Sequence, residues 1–322
     1  MIQKLISLYV TLLSAVVPIF SITILGLLLR KFRGVSEEGE RTLMRLAVSV
    51  LYPCLVFSVI MRFDLQKEMS GSVLIAPVFG FIVTTIGYLL CSVVMRVLKA
   101  PSDYARSFSA STGLFNFGYI AIPTCELVFG EQATAMLLIF NIGVDIALWL
   151  IGVPMLRGGW KDGIRGLKKL ISAPIVAIIV SIFVSSIGGA AYIPDAFMKG
   201  VSWLGQCTIP IALMAMGASI YDLIHSLKWQ ASWRTGVLSC LLRLGILPAL
   251  FLLLAYYAPV DTELKQTLVV QAAMPGGMLT IMLAKHYHVS PQTAAQSSIW
   301  TTAVSVITLP AWICLGMAWV LG

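Results

Sequence analysis

Ten stretches of this 322-residue chain are apolar for long enough to cross a bilayer, which takes about 20 residues. They lie near 6–29, 43–61, 72–95, 105–128, 132–156, 172–190, 199–220, 233–257, 264–284 and 291–320, joined by short connections. The pattern predicts an all-α integral membrane protein with ten transmembrane helices. Two segments are interrupted. The fourth contains Gly113-Leu-Phe-Asn-Phe-Gly-Tyr-Ile-Ala-Ile-Pro123, and the ninth contains Gln271-Ala-Ala-Met-Pro-Gly-Gly277. A proline inside a helix removes a backbone hydrogen bond, and lipid offers no water to replace it. Such breaks persist where they line a cavity or are buried in protein. Paired interruptions at corresponding places in two halves point to the substrate site of a secondary transporter.

Five segments precede the basic connection at 157–171 and five follow it, which divides the chain into halves 1–156 and 172–322. An odd number of crossings per half requires any repeat to be inverted in the membrane. The halves share an ordered set of features. Their second segments carry Tyr52-Pro53-Cys54-Leu55 and Ile209-Pro210-Ile211-Ala212, and their fourth segments carry the breaks at Pro123 and Pro275. Their fifth segments open with Glu131-Gln132-Ala133-Thr134-Ala135 and Pro291-Gln292-Thr293-Ala294-Ala295, an offset that sets Asn141 on Thr301 and Asp145 on Ser305. Each break exposes the free carbonyls of one half-helix and the free N–H groups of the next. Two breaks crossing near the midplane bring two positive half-helix ends together, which favours an anion, while the carbonyl ends favour a cation.

Composition supports lipid as the main solvent. Hydrophobic residues make up 59% and charged residues 11%, with a mean hydropathy of +0.93; soluble proteins carry about 25% charged residues. The net charge of +8 resembles a nucleic-acid signal until the charges are sorted by connection. With the N-terminus outside, sixteen of the 22 basic residues fall on the cytoplasmic side, including Arg30, Lys31, Arg33, Arg96, Lys99 and Arg106. Lys4, Arg62, Lys67, Lys199 and Lys265 fall outside, and Arg243 lies within a segment. The positive-inside rule then places both termini outside a cell membrane, with membrane lipid, not nucleic acid, beside the basic loops. The first segment is too long for a signal-peptide core and ends in Arg30-Lys31-Phe32-Arg33, so it is expected to remain as a helix. The six cysteines (54, 91, 125, 207, 240, 314) lack metal-type spacing and read as packing residues.

Polar groups at membrane depth are costly, so they face protein or water and are functional candidates. Asn116 precedes Pro123 by seven residues; its amide donates and accepts, which suits a carboxylate or a bound cation, against the plainer role of a helix–helix hydrogen bond. Asn141 and Asp145 share one face of the fifth segment and, with Thr301 and Ser305 of the tenth, are expected to form a polar cluster below the crossover. That cluster is the candidate site for Na⁺ or H⁺ coupling, since a carboxylate removed from water favours a neutral or cation-bound form. Arg243, midway along the eighth segment, either holds a substrate carboxylate with its planar fork or neutralises a partner such as Asp145. Gln271 lies four residues before Pro275 and faces the same site, and Gly276 follows that proline. Lys285-His286-Tyr287-His288 reads as a cytoplasmic flank, and Glu37, Glu38 and Glu40 as a solvated loop. No cofactor motif appears.

The two interrupted stretches resemble a known family. Asn116-Phe-Gly-Tyr-Ile-Ala-Ile-Pro123, followed by Phe129-Gly130, is similar to the fourth membrane segment of the auxin efflux carriers. Ala273-Met-Pro-Gly-Gly-Met-Leu-Thr-Ile-Met-Leu-Ala-Lys-His-Tyr-His-Val-Ser-Pro291 is similar to their ninth. Segment count and length fit the compact prokaryotic members. The resemblance implies two inverted five-helix repeats with crossover helices 4 and 9, the fold of bile acid/sodium symporters. It implies a scaffold (1–62 plus 172–222), usually dimeric, and a transport domain (72–156 plus 233–322) that slides in an elevator cycle. Its substrates are small organic anions: auxin in plants, and carboxylates such as malate or malonate in bacteria. Asn116 and Pro123 match the first crossover and Pro275 the second. The Met274-Pro275-Gly276-Gly277 sequence departs from the family pattern by an extra glycine, so specificity does not carry over.

The expected function is therefore secondary transport of a small organic anion. The alternatives are a channel-like uniporter driven by membrane potential and a receptor that retains the fold. Gly-x-Ser-x-Gly, His-Glu-x-x-His, paired intramembrane aspartates and ATP-binding motifs are all absent from the sequence, which argues against an enzyme or a primary pump.

Overall fold

The structure, a computed structural model, describes residues 2–62, 71–159, 173–226 and 233–322. Most of the basic connection after residue 159, together with Lys67, Trp160, Lys228 and Trp229, lies outside the described residues. The described chain is helical, with one isolated antiparallel bridge between Phe115 and Gly276. Seven helices among the described residues are long and apolar enough to cross a membrane. The chain is an all-helical integral membrane protein.

The helices are α1 (Ile2–Lys31), α2 (Glu37–Arg62), α3 (Gly71–Val97), α4 (Ser102–Gly113), α5 (Ala121–Arg157), α6 (Ala173–Ser186), α7 (Asp195–Gln206), α8 (Thr208–Ser226), α9 (Trp233–Tyr257), α10 (Thr262–Ala273), α11 (Leu279–His286) and α12 (Pro291–Leu321). Segment 4 is divided between α4 and the start of α5, and segment 9 between α10 and α11. At 1.5 Å per residue a 12-residue helix spans about 18 Å, so each of these segments needs both its pieces to cross. The 37 residues of α5 are too long for one straight crossing, and Gly130, at φ 84°, bends the chain between the half-helix and the full fifth segment.

Proline placement differs from expectation at the first break. The unwound stretch is 114–120, and Pro123 sits in the first turn of α5, where a missing N–H costs nothing. Pro275, by contrast, lies inside its break. Elsewhere three prolines are accommodated by widening: π-helical turns at Ala47–Leu51, Leu148–Gly152 and Leu242–Ile246 precede Pro53, Pro154 and Pro248. Each proline's i−4 carbonyl falls within its π turn, so the helix continues with the freed carbonyl shifted outward.

Glu37, Glu38 and Glu40 form the first turn of α2 instead of a loop. Ser36 caps it, accepting from the Gly39 N–H at 3.0 Å, and the three carboxylates offset the helix dipole. Glu40 turns inward to Ser219 of α8, beside the Arg30–Asp222 pair, whose Nε–Oδ1 distance is 2.8 Å. Arg33, Lys99 and His288 occupy left-handed positions just past the ends of α1, α3 and α11. There the N–H of the following residue reaches back to a last-turn carbonyl, as from Ala100 to Met95 at 3.1 Å.

Packing falls into two sets of neighbours that meet where α1 lies on α12 and where α1 and α2 touch α5. In one, α1 lies along α8, while α6 and α7 pack on α2. In the other, α3 packs on α4 and α5, α10 on α5 and α9, and α12 on α4, α9 and α10. Close crossings rely on glycine: a methyl group at Gly143 would overlap the Pro77 carbonyl, and one at Gly217 the Thr23 carbonyl. Small residues at helix contacts are how membrane helices gain van der Waals contact without a hydrophobic driving force.

Candidate functional site

The two breaks cross and pair through their backbones. The Asn116 N–H donates to the Pro275 carbonyl at 2.8 Å, and the Gly277 N–H donates to the Leu114 carbonyl at 2.8 Å. Each break thus satisfies part of what the other lost by leaving the helix, as membrane burial requires. The fifth and tenth segments support this crossing from matching positions. The Asn141 amide donates to the Phe117 carbonyl at 2.9 Å, and Thr301 Oγ1 accepts from the Gly276 N–H at 3.0 Å. Gln271 Nε2 donates to Asn141 Oδ1 at 3.0 Å, which ties the end of α10 to α5.

Asn116 is buried; its Oδ1 accepts from the Ile120 N–H at 3.4 Å and its Nδ2 faces Met216 of α8 at 3.8 Å. The amide therefore meets the N–H that leads into the half-helix opening α5, at the contact with α8. Gly276 approaches within a side chain's width of the Ser111 carbonyl, so any larger residue would displace the crossing.

Arg243 lies in the π turn of α9 and is fully buried. Its Nε donates to the Met274 carbonyl at 2.9 Å, and its Nη2 donates to the carbonyls of Gln271 at 3.1 Å and Ala272 at 3.2 Å. The guanidinium lies 5.2 Å from the ring centres of both Phe115 and Phe251. It occupies the carbonyl end of α10, where a cation was expected, and Nη1 has no hydrogen-bond partner. Among the described residues no carboxylate forms an ion pair with it, Asp145 included. The crossover therefore holds a positive charge that nearby carbonyls solvate but do not neutralise.

Of the expected cluster of Asn141, Asp145, Thr301 and Ser305, two members bond to the crossover. Asn141 and Thr301 join the crossover from opposite sides, while the Ser305 hydroxyl bonds within its own helix, to the Thr302 carbonyl at 2.7 Å. Asp145 is half-buried one turn beyond Asn141. Met216 was missed by sequence reasoning. So was the band of buried hydroxyls on α4 and α12 (Ser107, Ser111, Thr112, Ser297, Ser298), although its signal was present as two Ser/Thr runs in otherwise apolar segments. Among the described residues no group of three His, Cys, Asp or Glu side chains forms a metal site.

A multi-pass helical membrane protein whose interior centres on crossed, interrupted helices has the organisation of a transporter. The family model described as "Membrane transport protein" matches residues 11–163 and 162–313. The chain belongs to this family, that of the auxin efflux carriers, as a compact prokaryotic-type member. It is 23% identical over 310 residues to an uncharacterized transporter of Methanocaldococcus jannaschii, covering 93% of this chain and 97% of the relative. It is 22% identical to an uncharacterized transporter of Methanothermobacter thermautotrophicus, covering 92% and 96%. An uncharacterized transporter of Escherichia coli K12 is 21% identical, covering 92% and 95%.

Proposed function

We propose that this transporter carries a small organic anion, such as a carboxylate or an auxin-like acid, by elevator-type alternating access. The observation behind the anion is Arg243: a buried guanidinium at the carbonyl end of α10, unpaired by any described carboxylate. Desolvating such a charge is unfavourable unless another group compensates it, and a bound carboxylate would do so. In this reading Asn116, Gln271 and Gly276 shape the site, Pro123 and Pro275 hold the half-helices open, and Asp145 with Asn141 takes up the coupling Na⁺ or H⁺. Thr301 and Ser305 belong to the same support.

The packing sets suggest which parts move: α3, α4, α5 and α9–α12 as the transport unit, against a scaffold of α1, α2 and α6–α8 that dimerises. Two inverted five-helix repeats, ten crossings and outward termini complete the proposal. Met216 beside Asn116 supports a crossover at the boundary of the two units. The test is thermal stabilisation of the purified protein by mono- and dicarboxylates and auxin-like acids, with and without Na⁺, followed by flux in proteoliposomes. A bound anion raises apparent stability by mass action. Asn116→Ala is expected to abolish the shift; stabilisation by cations or neutral compounds alone would defeat the proposal.

A further inference from the structure

A cavity of about 600 Å³ opens among α3, α4 and the end of α5, on the flank of the transport helices and away from α8. Its size falls in the range of roughly 300–1,000 Å³ usual for ligand sites. Arg96, Lys99 and Arg106 line it, and its walls are largely apolar, with Leu89, Met95 and Met155 among them. Arg106 is partly engaged: its Nη2 pairs with Asp103 at 2.5 Å and its Nη1 donates to the Leu156 carbonyl at 3.2 Å. Its Nε is buried without a partner. Among the described residues neither Arg96 nor Lys99 has an ion pair, so the lining carries two uncompensated cations plus a partly neutralised third.

The lining extends further into the protein. Tyr88, two turns deeper along α3 and 1% exposed, also lines the cavity, and its hydroxyl has no hydrogen-bond partner. The outer flank of α3 beside the lining, at Leu89, Val93, Val97 and Leu98, is exposed and apolar. A ligand complementary to this surface has an anionic head and a hydrocarbon tail.

We propose that the cavity binds one anionic phospholipid, with its phosphate among Arg96, Lys99 and Arg106 and an acyl chain along the apolar flank of α3. A free phosphate would use the cations but leave the apolar walls and flank uncovered, so the lipid is the favoured source. The site is separate from the crossover and stands whether or not an organic anion is the cargo.

The test is native mass spectrometry of the full-length protein in detergent, titrated with phosphatidylglycerol, phosphatidylcholine or inorganic phosphate. One phosphatidylglycerol is expected to bind in preference to phosphatidylcholine, and millimolar phosphate to leave it in place. Arg96→Gln with Lys99→Gln is expected to lower affinity about 30-fold, at the usual contribution of a basic residue near an anionic lipid surface. Both residues are exposed, so folding should survive; Ala105→Phe, which fills the cavity, provides an independent block. Arg41→Gln with Arg45→Gln, remote from the cavity, should change nothing. Equal binding of the two lipids, displacement by phosphate, or unchanged affinity in the double variant would each overturn the proposal.

Discussion

Replacing Arg243 separates its two roles, capping a half-helix and supplying charge. Its three hydrogen bonds at 2.9–3.2 Å satisfy the last carbonyls of α10 and the break beyond it. Charge-assisted bonds contribute about 1.5–3 kcal/mol each in water-soluble proteins, but polar contacts between membrane helices average about 0.6 kcal/mol because the unfolded chain finds other partners in the bilayer. Three bonds on the membrane scale give about 2 kcal/mol as the stability loss in Arg243→Gln. The electrostatic effect is separate. For an anion roughly 8 Å from the guanidinium at an effective dielectric of about 20, Coulomb's law gives about 2 kcal/mol, or roughly 30-fold in affinity. Arg243→Lys keeps the charge but cannot present a fork to three carbonyls. The lysine variant should therefore lose thermal stability yet bind the anion within a few-fold of wild type, whereas the glutamine variant should lose both. Thermal unfolding and equilibrium binding on monodisperse protein measure the two quantities. A glutamine variant that binds the anion with wild-type affinity would refute the charge argument, and one with unaltered unfolding would refute the capping argument.

Asp145→Asn is expected to preserve folding, since no described cation pairs with the carboxylate, while abolishing the dependence of transport on Na⁺ or pH; full dependence retained in the variant would remove Asp145 from coupling. Gly143→Leu must push α3 and α5 apart at the Pro77 carbonyl, so the variant should lose about 1–3 kcal/mol or fail to accumulate as monodisperse protein, as size-exclusion chromatography would report.

Local chemistry made much of this protein legible in its sequence. Bilayer thickness sets the length of an apolar run, so a span such as α9, which matches its expected limits at 233–257, could be read directly. Backbone satisfaction in lipid is equally strict, which made Asn116 and Pro275 visible as parts of two breaks before any contact was known. Asn141 and Thr301, paired by the offset between the halves, both bond to the crossover, one as donor to Phe117 and the other as acceptor from Gly276. Tertiary structure decided what depends on distant neighbours. Whether Arg243 met a carboxylate or a row of carbonyls depended on a π turn before Pro248 and on where α10 ends, 28 to 31 residues further along. Glu40 became half-enclosed because α8 brings Ser219 to it from 179 residues away. Met216 looked like an ordinary membrane residue until packing put it against Asn116. Hydrophobic length and backbone hydrogen bonding are properties of a segment and can be read along it; the compensation of a buried charge is a property of the space around it, and only the folded chain supplies that.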